Sequence, residues 1–268
     1  MNLQYLLMAT ALVLGVVSCS VSNEQAPMDD FTVFAHRGAS GYELENTISA
    51  FHKAIELNAK AVELDVFKCA SGEIVVFHDV SLERLSLSED SIERLTISEI
   101  NEVQLVGGEK ISTLDKVLKL LMGSEILINI ELKGVNTANG VQQLIDKLGL
   151  SEESLRSRFV ISSFNWDELK QMRSLNKSIP IAVLTDASPV EAIGFAEEIQ
   201  AIAINPNAAD VSYSAVEQIH KAGFKVYPWT VNEPGVLKNL IFMGVDGVFS
   251  DFPDKAVVWS EEFDTVVV

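Results

Sequence analysis

From Phe31 onward, short apolar runs rich in β-branched residues alternate with longer stretches in which apolar positions recur every three or four residues. The short runs at 32–35, 61–67, 74–77, 126–130, 159–162, 181–184, 201–204, 225–229 and 247–250 predict strands. Most are nearly unbroken in apolar character, as expected of parallel strands covered on both faces. The stretches between them predict helices. Residues 47–57 place Ile48, Phe51, Ala54 and Ile55 on one stripe, and 113–121, 141–148, 166–175, 190–197, 215–222 and 236–243 behave alike. No linker rich in Pro, Gly or Ser interrupts the alternation, so residues 31–268 read as one α/β domain. Polar residues gather at the C-terminal ends of the strand runs. That favours a TIM-type (β/α)8 barrel over an open doubly wound sheet, because a barrel keeps its site at that end.

Nine strand candidates are one too many for eight barrel positions. The odd connection is the four-residue stretch Cys69-Ala70-Ser71-Gly72, too short for a helical crossover. It predicts an antiparallel pair or an inserted strand, and places Glu63 opposite the region of His78.

Composition narrows the function classes. The chain has 268 residues, 48% of them apolar, enough for a full core, and a formal net charge of −18. Such a charge argues against nucleic acid or an anionic membrane face as a partner, since both need cationic surface. A small phosphate ester remains open if a cation or a few basic groups reverse the field locally. Residues 1–19 are an apolar leader ending in small residues, too short for a comfortable membrane span, and read as a secretory signal. The run Val16-Val17-Ser18-Cys19 resembles the lipobox of bacterial lipoproteins, although no Lys or Arg precedes the apolar stretch. On that reading Cys19 is lipidated, residues 20–30 are a tether containing Pro27, and the domain is held at the cell envelope only by its lipid. Cys69 then has no intrachain partner and reads as a small buried apolar residue.

The candidate chemistry lies in charged islands that interrupt apolar strands: His36-Arg37, Glu45-Asn46, Glu63 with Asp65, His78-Asp79, and Glu131 with Lys133. Buried charges need partners or a metal. Glu63 and Asp65, two apart on a strand, point to one face, where their repulsion calls for a cation. With Glu131 they make three hard oxygen ligands suited to calcium or magnesium, the alternative being that Glu131 simply pairs with Lys133. Glu45 is either a fourth ligand or a charge favoured by the dipole of the helix that follows it. His36 and His78, at strand ends beside charges, fit a proton acceptor and donor for an in-line displacement at phosphorus, whereas His52 and His220 fall within helical stretches. Arg37 and Lys133 are cationic donors for phosphate oxygens.

The ordered blocks FAHRGASGYELENT, VELDV, VVFHDVSLERL, ISTLDKVL, INIELK, VISSF, YPWTVN and GVFSDFP span nearly all of 32–254. In order and spacing they resemble the glycerophosphodiester phosphodiesterases. The turn CASG lacks the acidic residue that often precedes its glycine, and LENT replaces PENT, but neither touches a catalytic candidate. The resemblance implies a phospholipase C-like barrel that hydrolyses glycerophosphodiesters to glycerol 3-phosphate and an alcohol, using a divalent cation on Glu63, Asp65 and Glu131. It implies His36 and His78 as acid and base, Arg37 and Lys133 on phosphate, and Glu45 near metal or substrate. Phe164 and Trp229 would form an apolar wall against the glycerol or leaving group, with core packing as the alternative for both, more so for Phe164 than for Trp229 at the C-terminal end of its strand. The nucleophile is either the neighbouring glycerol hydroxyl, through a cyclic phosphate, or water. Two rival functions are a phosphodiesterase acting on (lyso)phospholipids and a non-catalytic binding lipoprotein.

Overall fold

The computed structural model describes residues 31–264. The expected signal segment 1–19 with Cys19, and the expected tether 20–30, lie outside the described residues. In chain order the first elements are β1 (Thr32–Ala35), α1 (Ile48–Glu56), β2 (Ala61–Lys68), β3 (Ile74–Val76), α2 (Ile97–Glu102), β4 (Ser112–Thr113) and α3 (Leu114–Leu121). Next come β5 (Leu127–Leu132), α4 (Thr137–Leu148), α5 (Glu152–Arg158), β6 (Phe159–Ser163), α6 (Trp166–Leu175), β7 (Ile181–Thr185) and α7 (Ile193–Glu198). The chain ends with β8 (Ala203–Pro206), α8 (Tyr213–Lys221), β9 (Lys225–Val226), α9 (Pro234–Met243), β10 (Gly247–Ser250) and α10 (Pro253–Asp264). No helix among the described residues is long and apolar enough to cross a membrane.

Eight strands pair in parallel in the order β10, β1, β2, β5, β6, β7, β8, β9. Backbone bonds from Asp246 N to Val226 O and from Phe249 N to Pro228 O, both 3.0 Å, join the two ends into a barrel. The extra strand is β3, antiparallel to β2, with β4 antiparallel to it in turn. The four-residue connection therefore makes the hairpin its length requires.

Alternation along the strands sorts side chains into two cores. One set, including Val33, Val62, Leu64, Ile128, Ile130, Ile161 and Val183, packs outward against the helices. The other, Phe34, Ala61, Val160, Ala182, Ala203, Tyr227 and Phe249, fills the barrel, with Phe34 stacked on Phe249 at 4.6 Å and edge-on to Tyr227 at 5.3 Å. Beyond this aromatic plug, toward the C-terminal ends of the strands, buried polar side chains such as Glu63, Asp65, Asn129, Glu131, Ser162 and Asn205 take over. A third core of Phe67, Val75, Phe77, Leu82, Leu85, Ile92, Ile100, Leu105 and Ile111 builds a small lobe over the β2–β3 hairpin.

Packing between β1 and β10 leaves no room at Gly247, paired with Thr32: a Cβ there would lie 2.0 Å from the Thr32 carbonyl oxygen. Backbone cannot yield as a side chain can, so Gly247→Ala is expected to cost about 3 kcal/mol, at the upper end for an overpacked core. Urea unfolding of the variant measures it; a midpoint equal to wild type would show that the two strands can separate freely.

Several boundaries differ from the sequence reading. Helix α4 begins at Thr137 rather than 141, because the Glu168 carboxylate on α6 accepts from Asn136 N at 2.6 Å and Ala138 N at 2.8 Å and so caps it from a distant element. The 201–204 run shifts to 203–206, and in 225–229 the ladder proper covers Lys225–Val226, while Tyr227 N and Trp229 N go on donating to Ile204 O at 3.2 Å and Pro206 O at 3.0 Å. Helices α2, α5 and α10 and the two-residue β4 add to the elements that the apolar pattern predicts. Helix α2 carries a capping box between Thr96 and Glu99, a signal present in the sequence.

Candidate active site

Strands β2 and β5 pair with Asp65 opposite Glu131 and Glu63 opposite Asn129. Inward alternation therefore brings Glu63, Asp65 and Glu131 to one place, each with a carboxylate oxygen within 4.8 Å of the others. All three are buried. Arg37 N donates to Glu63 Oε2 at 2.7 Å, and Asn46 holds Asp65 at both ends, its Nδ2 on Oδ2 at 2.8 Å and its Oδ1 accepting from Asp65 N at 3.2 Å. Glu63 Oε1 and Asp65 Oδ1 are left without hydrogen-bond partners. Burial, with the charges of Asp65 and Glu131, pushes the Glu63 carboxyl well above its ordinary value. Burial and Asp65 raise Glu131 to about 7 despite Lys133. Crowded carboxylates with orphaned oxygens, all hard donors, fit a divalent cation of the calcium or magnesium type.

Cations surround this cluster. Lys133, just beyond β5, lies 2.8 Å from Glu131 Oε1 and 3.6 Å from Asp65 Oδ1. The Glu131–Lys133 pair weighed as an alternative thus exists within the acidic cluster rather than instead of it. Arg37 places Nη1 on Glu45 Oε1 at 2.8 Å and Nε 3.4 Å from Asp65 Oδ2. Burial works against both basic charges, but Asp65 and the neighbouring glutamates outweigh it and raise both groups. Glu45 does something neither sequence alternative named: its oxygens accept from Arg37 and, at 2.6 and 2.8 Å, from Arg84. Helix α1 is instead capped by Thr47, whose Oγ1 accepts from Ala50 N at 3.2 Å.

Both histidines stand where a strand ends, and each gives its Nδ1 to a carboxylate. His36 Nδ1 lies 2.7 Å from Asp251 Oδ1, and His78 Nδ1 lies 2.6 Å from Asp79 Oδ1. Nε2 is thereby left as the ring nitrogen free for chemistry on each. Asp251 is itself held by Ser40 Oγ at 2.8 Å and Asn232 Nδ2 at 2.6 Å. Although burial opposes it, the bonds to His36, Ser40 and Asn232 hold the Asp251 carboxyl down at about 2. Burial lowers His78, as do Lys133 and Arg37, with Asp65 pulling the other way.

Phe164 and Trp229 meet edge to face at 5.3 Å, Phe164 with Lys133 Nζ 5.8 Å from its ring centre. Phe164 is 39% exposed, which rules out core packing for it. Trp229 is fixed by its Nε1 donating to Asn205 O at 2.9 Å. Thus His36, Arg37, Glu45, Glu63, Asp65, His78, Glu131, Lys133, Phe164 and Trp229 all lie at one end of the barrel or on its adjoining loops; Cys19 lies outside the described residues. Sequence reasoning gave no role to Asn46, Asp79, Arg84, Asn232 or Asp251. All five stand inside the quoted blocks, within or beside polar pairs, but only the fold shows that they grip other side chains.

The model of the glycerophosphoryl diester phosphodiesterase family matches residues 36–255. A glycerophosphodiester phosphodiesterase of Caldanaerobacter subterraneus subsp. tengcongensis is 33% identical over 84% of this chain and 96% of its own. A glycerophosphodiester phosphodiesterase of Bacillus altitudinis is 32% identical over 86% of this chain and 98% of its own. Among solved structures, an Oleispira antarctica phosphodiesterase in complex with the product sn-glycerol-3-phosphate superposes with a TM-score of 0.75 at 27% identity, covering 86% of this chain and 96% of its own.

Proposed function

Because this chain belongs to the glycerophosphoryl diester phosphodiesterase family, we propose that it hydrolyses glycerophosphodiesters to glycerol 3-phosphate and an alcohol, with a divalent cation and a pair of histidines. The observation that carries this reading is the meeting, at one end of the barrel, of an acidic trio with oxygens within 4.8 Å of one another and two histidines each backed by a carboxylate. Calcium or magnesium on Glu63, Asp65 and Glu131 would supply a Lewis acid that polarises the phosphoryl group.

The chain's own groups do the rest. Arg37 and Lys133 turn a field made negative by the acids into one that receives a phosphodiester anion, and share the charge that develops on its oxygens. One histidine takes the proton of the attacking oxygen and the other gives one to the departing alkoxide, each turned by its carboxylate so that Nε2 does the work; with water attacking, this releases glycerol 3-phosphate directly, and with the neighbouring glycerol hydroxyl attacking, it leaves a cyclic phosphate that water then opens. Asp79 and Asp251 stabilise the protonated form of each ring, the product of the transfer for the base and the starting state for the acid. The Phe164–Trp229 corner excludes water on one side and offers an apolar face to the glycerol backbone.

The test is release of glycerol 3-phosphate from glycerophosphocholine by the purified domain in saturating calcium or magnesium. Turnover with that product supports the reading; tight binding without product would turn it into a binding protein. Trp229→Ala is expected to raise KM for glycerophosphodiester by about tenfold, the loss of one to two kcal/mol of apolar contact, with a smaller change in kcat. An unchanged KM would remove the aromatic wall from the substrate site. We also propose that Cys19 carries the lipid anchor, which predicts that Cys19→Ala abolishes incorporation of labelled palmitate by the expressing bacterium; persistent labelling would overturn that.

A further inference from the structure

Arg84 belongs to the small lobe, not to the barrel, and its neighbours in sequence hold it there: Leu82 and Leu85 are buried in the lobe's own core. Its guanidinium extends back over the barrel mouth and bonds two carboxylates at once. Nε donates to Asp79 Oδ2 at 2.5 Å, while Nη1 and Nη2 donate to Glu45 Oε2 and Oε1 at 2.8 and 2.6 Å. Each of those carboxylates has a second partner. Asp79 holds the Nδ1 of His78, and Glu45 holds Nη1 of Arg37.

We propose that Arg84 is a positioning residue that locks two parts of the site together, orienting His78 through Asp79 and Arg37 through Glu45. The proposal rests on the phosphodiesterase reading above and adds a residue that touches none of the reacting atoms. Without Arg84, Asp79 retains one partner, His78, and can swing about its own side-chain bonds with the imidazole in tow. Glu45 likewise loses two of its three donors. A planar fork with donors in fixed directions can satisfy three carboxylate oxygens in this arrangement, which the single point of a lysine ammonium cannot. The lobe is thereby part of the catalytic apparatus: its packing sets where Arg84 sits, and Arg84 sets where His78 points.

The experiment is a double-mutant cycle on the metal-loaded enzyme, comparing Arg84→Ala, Asp79→Asn and the double variant. A misplaced acid–base group loses on the order of 100-fold in rate, so each single variant is expected to fall by about that factor in kcat. Since both act through the orientation of His78, the double variant is expected to fall within about threefold of the worse single. Arg84→Lys, which keeps charge and bulk, is expected to lose about tenfold in kcat with an unchanged thermal midpoint. Multiplying losses in the double variant, or kcat near wild type in either Arg84 variant, would overturn the proposal. The His78 Nδ1 proton, assigned in the proton NMR spectrum by its loss in His78→Gln, gives a readout independent of turnover. It is expected to shift in Arg84→Lys, and an unmoved resonance would also overturn the proposal. A wild-type protein inactive on every glycerophosphodiester would refute the function above while this spectral test still stood.

Discussion

Alanine at His36 or at His78 is expected to lower kcat by about a thousandfold, the middle of the range for a positioned acid or base. That corresponds to about 4 kcal/mol of transition-state stabilisation lost at each site. KM should move by only a few-fold, because Arg37 and Lys133, the groups proposed to hold the phosphate, have partners in Glu45, Asp65 and Glu131 that do not depend on either ring. Both imidazoles are part-buried at the mouth of the barrel and neither belongs to a core cluster, so the variants should fold. The effects should not multiply in the double variant, since one proton transfer without the other completes nothing. Steady-state kinetics on purified, metal-loaded variants measure all of this. A variant retaining kcat within tenfold of wild type would remove that histidine from the mechanism.

The second large effect concerns stability. In the metal-free protein, burial and neighbouring negative charge raise Glu63 and Glu131, the latter to about 7 from an ordinary 4.5. A carboxyl whose folded value is raised binds its proton more tightly folded than unfolded. Its contribution to stability is therefore fully present below the unfolded value and is lost as pH climbs through the folded one. For Glu131 that window runs from about 4.5 to about 7. Metal-free wild type should thus lose stability between pH 5 and 8 relative to Glu131→Gln, which lacks the titrating charge. Saturating calcium or magnesium should offset most of that difference at pH 8, contributing about 2.7 kcal/mol at a hundred times the dissociation constant. Glu131→Gln should gain far less from the ion and be inactive. Thermal midpoints with and without chelator at the two pH values measure it. An equal gain from the ion in both proteins would separate Glu131 from any metal site.

The pattern of apolar runs carried the barrel because parallel strands buried on both faces leave a plain signature, and the short CASG turn carried the hairpin because chain length alone forbids a crossover. The acids, histidines and bases that converge were legible as charges in places where charge is costly. Three kinds of information were not local. Helix α4 starts early because Glu168, thirty residues on, caps it. The lobe after His78 hides its core in isolated Leu and Ile residues among acids, without a helical or strand period. Asp251 is 215 positions from the His36 it orients, so no spacing rule could pair them. Glu45 shows the same limit at short range: its sequence neighbours suggest a metal ligand or a charge at the start of the following helix, while the groups that bind it are Arg37 and Arg84.

On the proposed mechanism, Glu63, Asp65 and Glu131 share one divalent ion. Crystals of the domain equilibrated with manganese, which scatters anomalously and accepts the same oxygen ligands, test it most directly. One strong anomalous peak is expected about 2.0 to 2.6 Å from an oxygen of each of the three carboxylates, the range for hard cations on oxygen ligands. A fully active enzyme whose manganese binds elsewhere, or not at all, would contradict it.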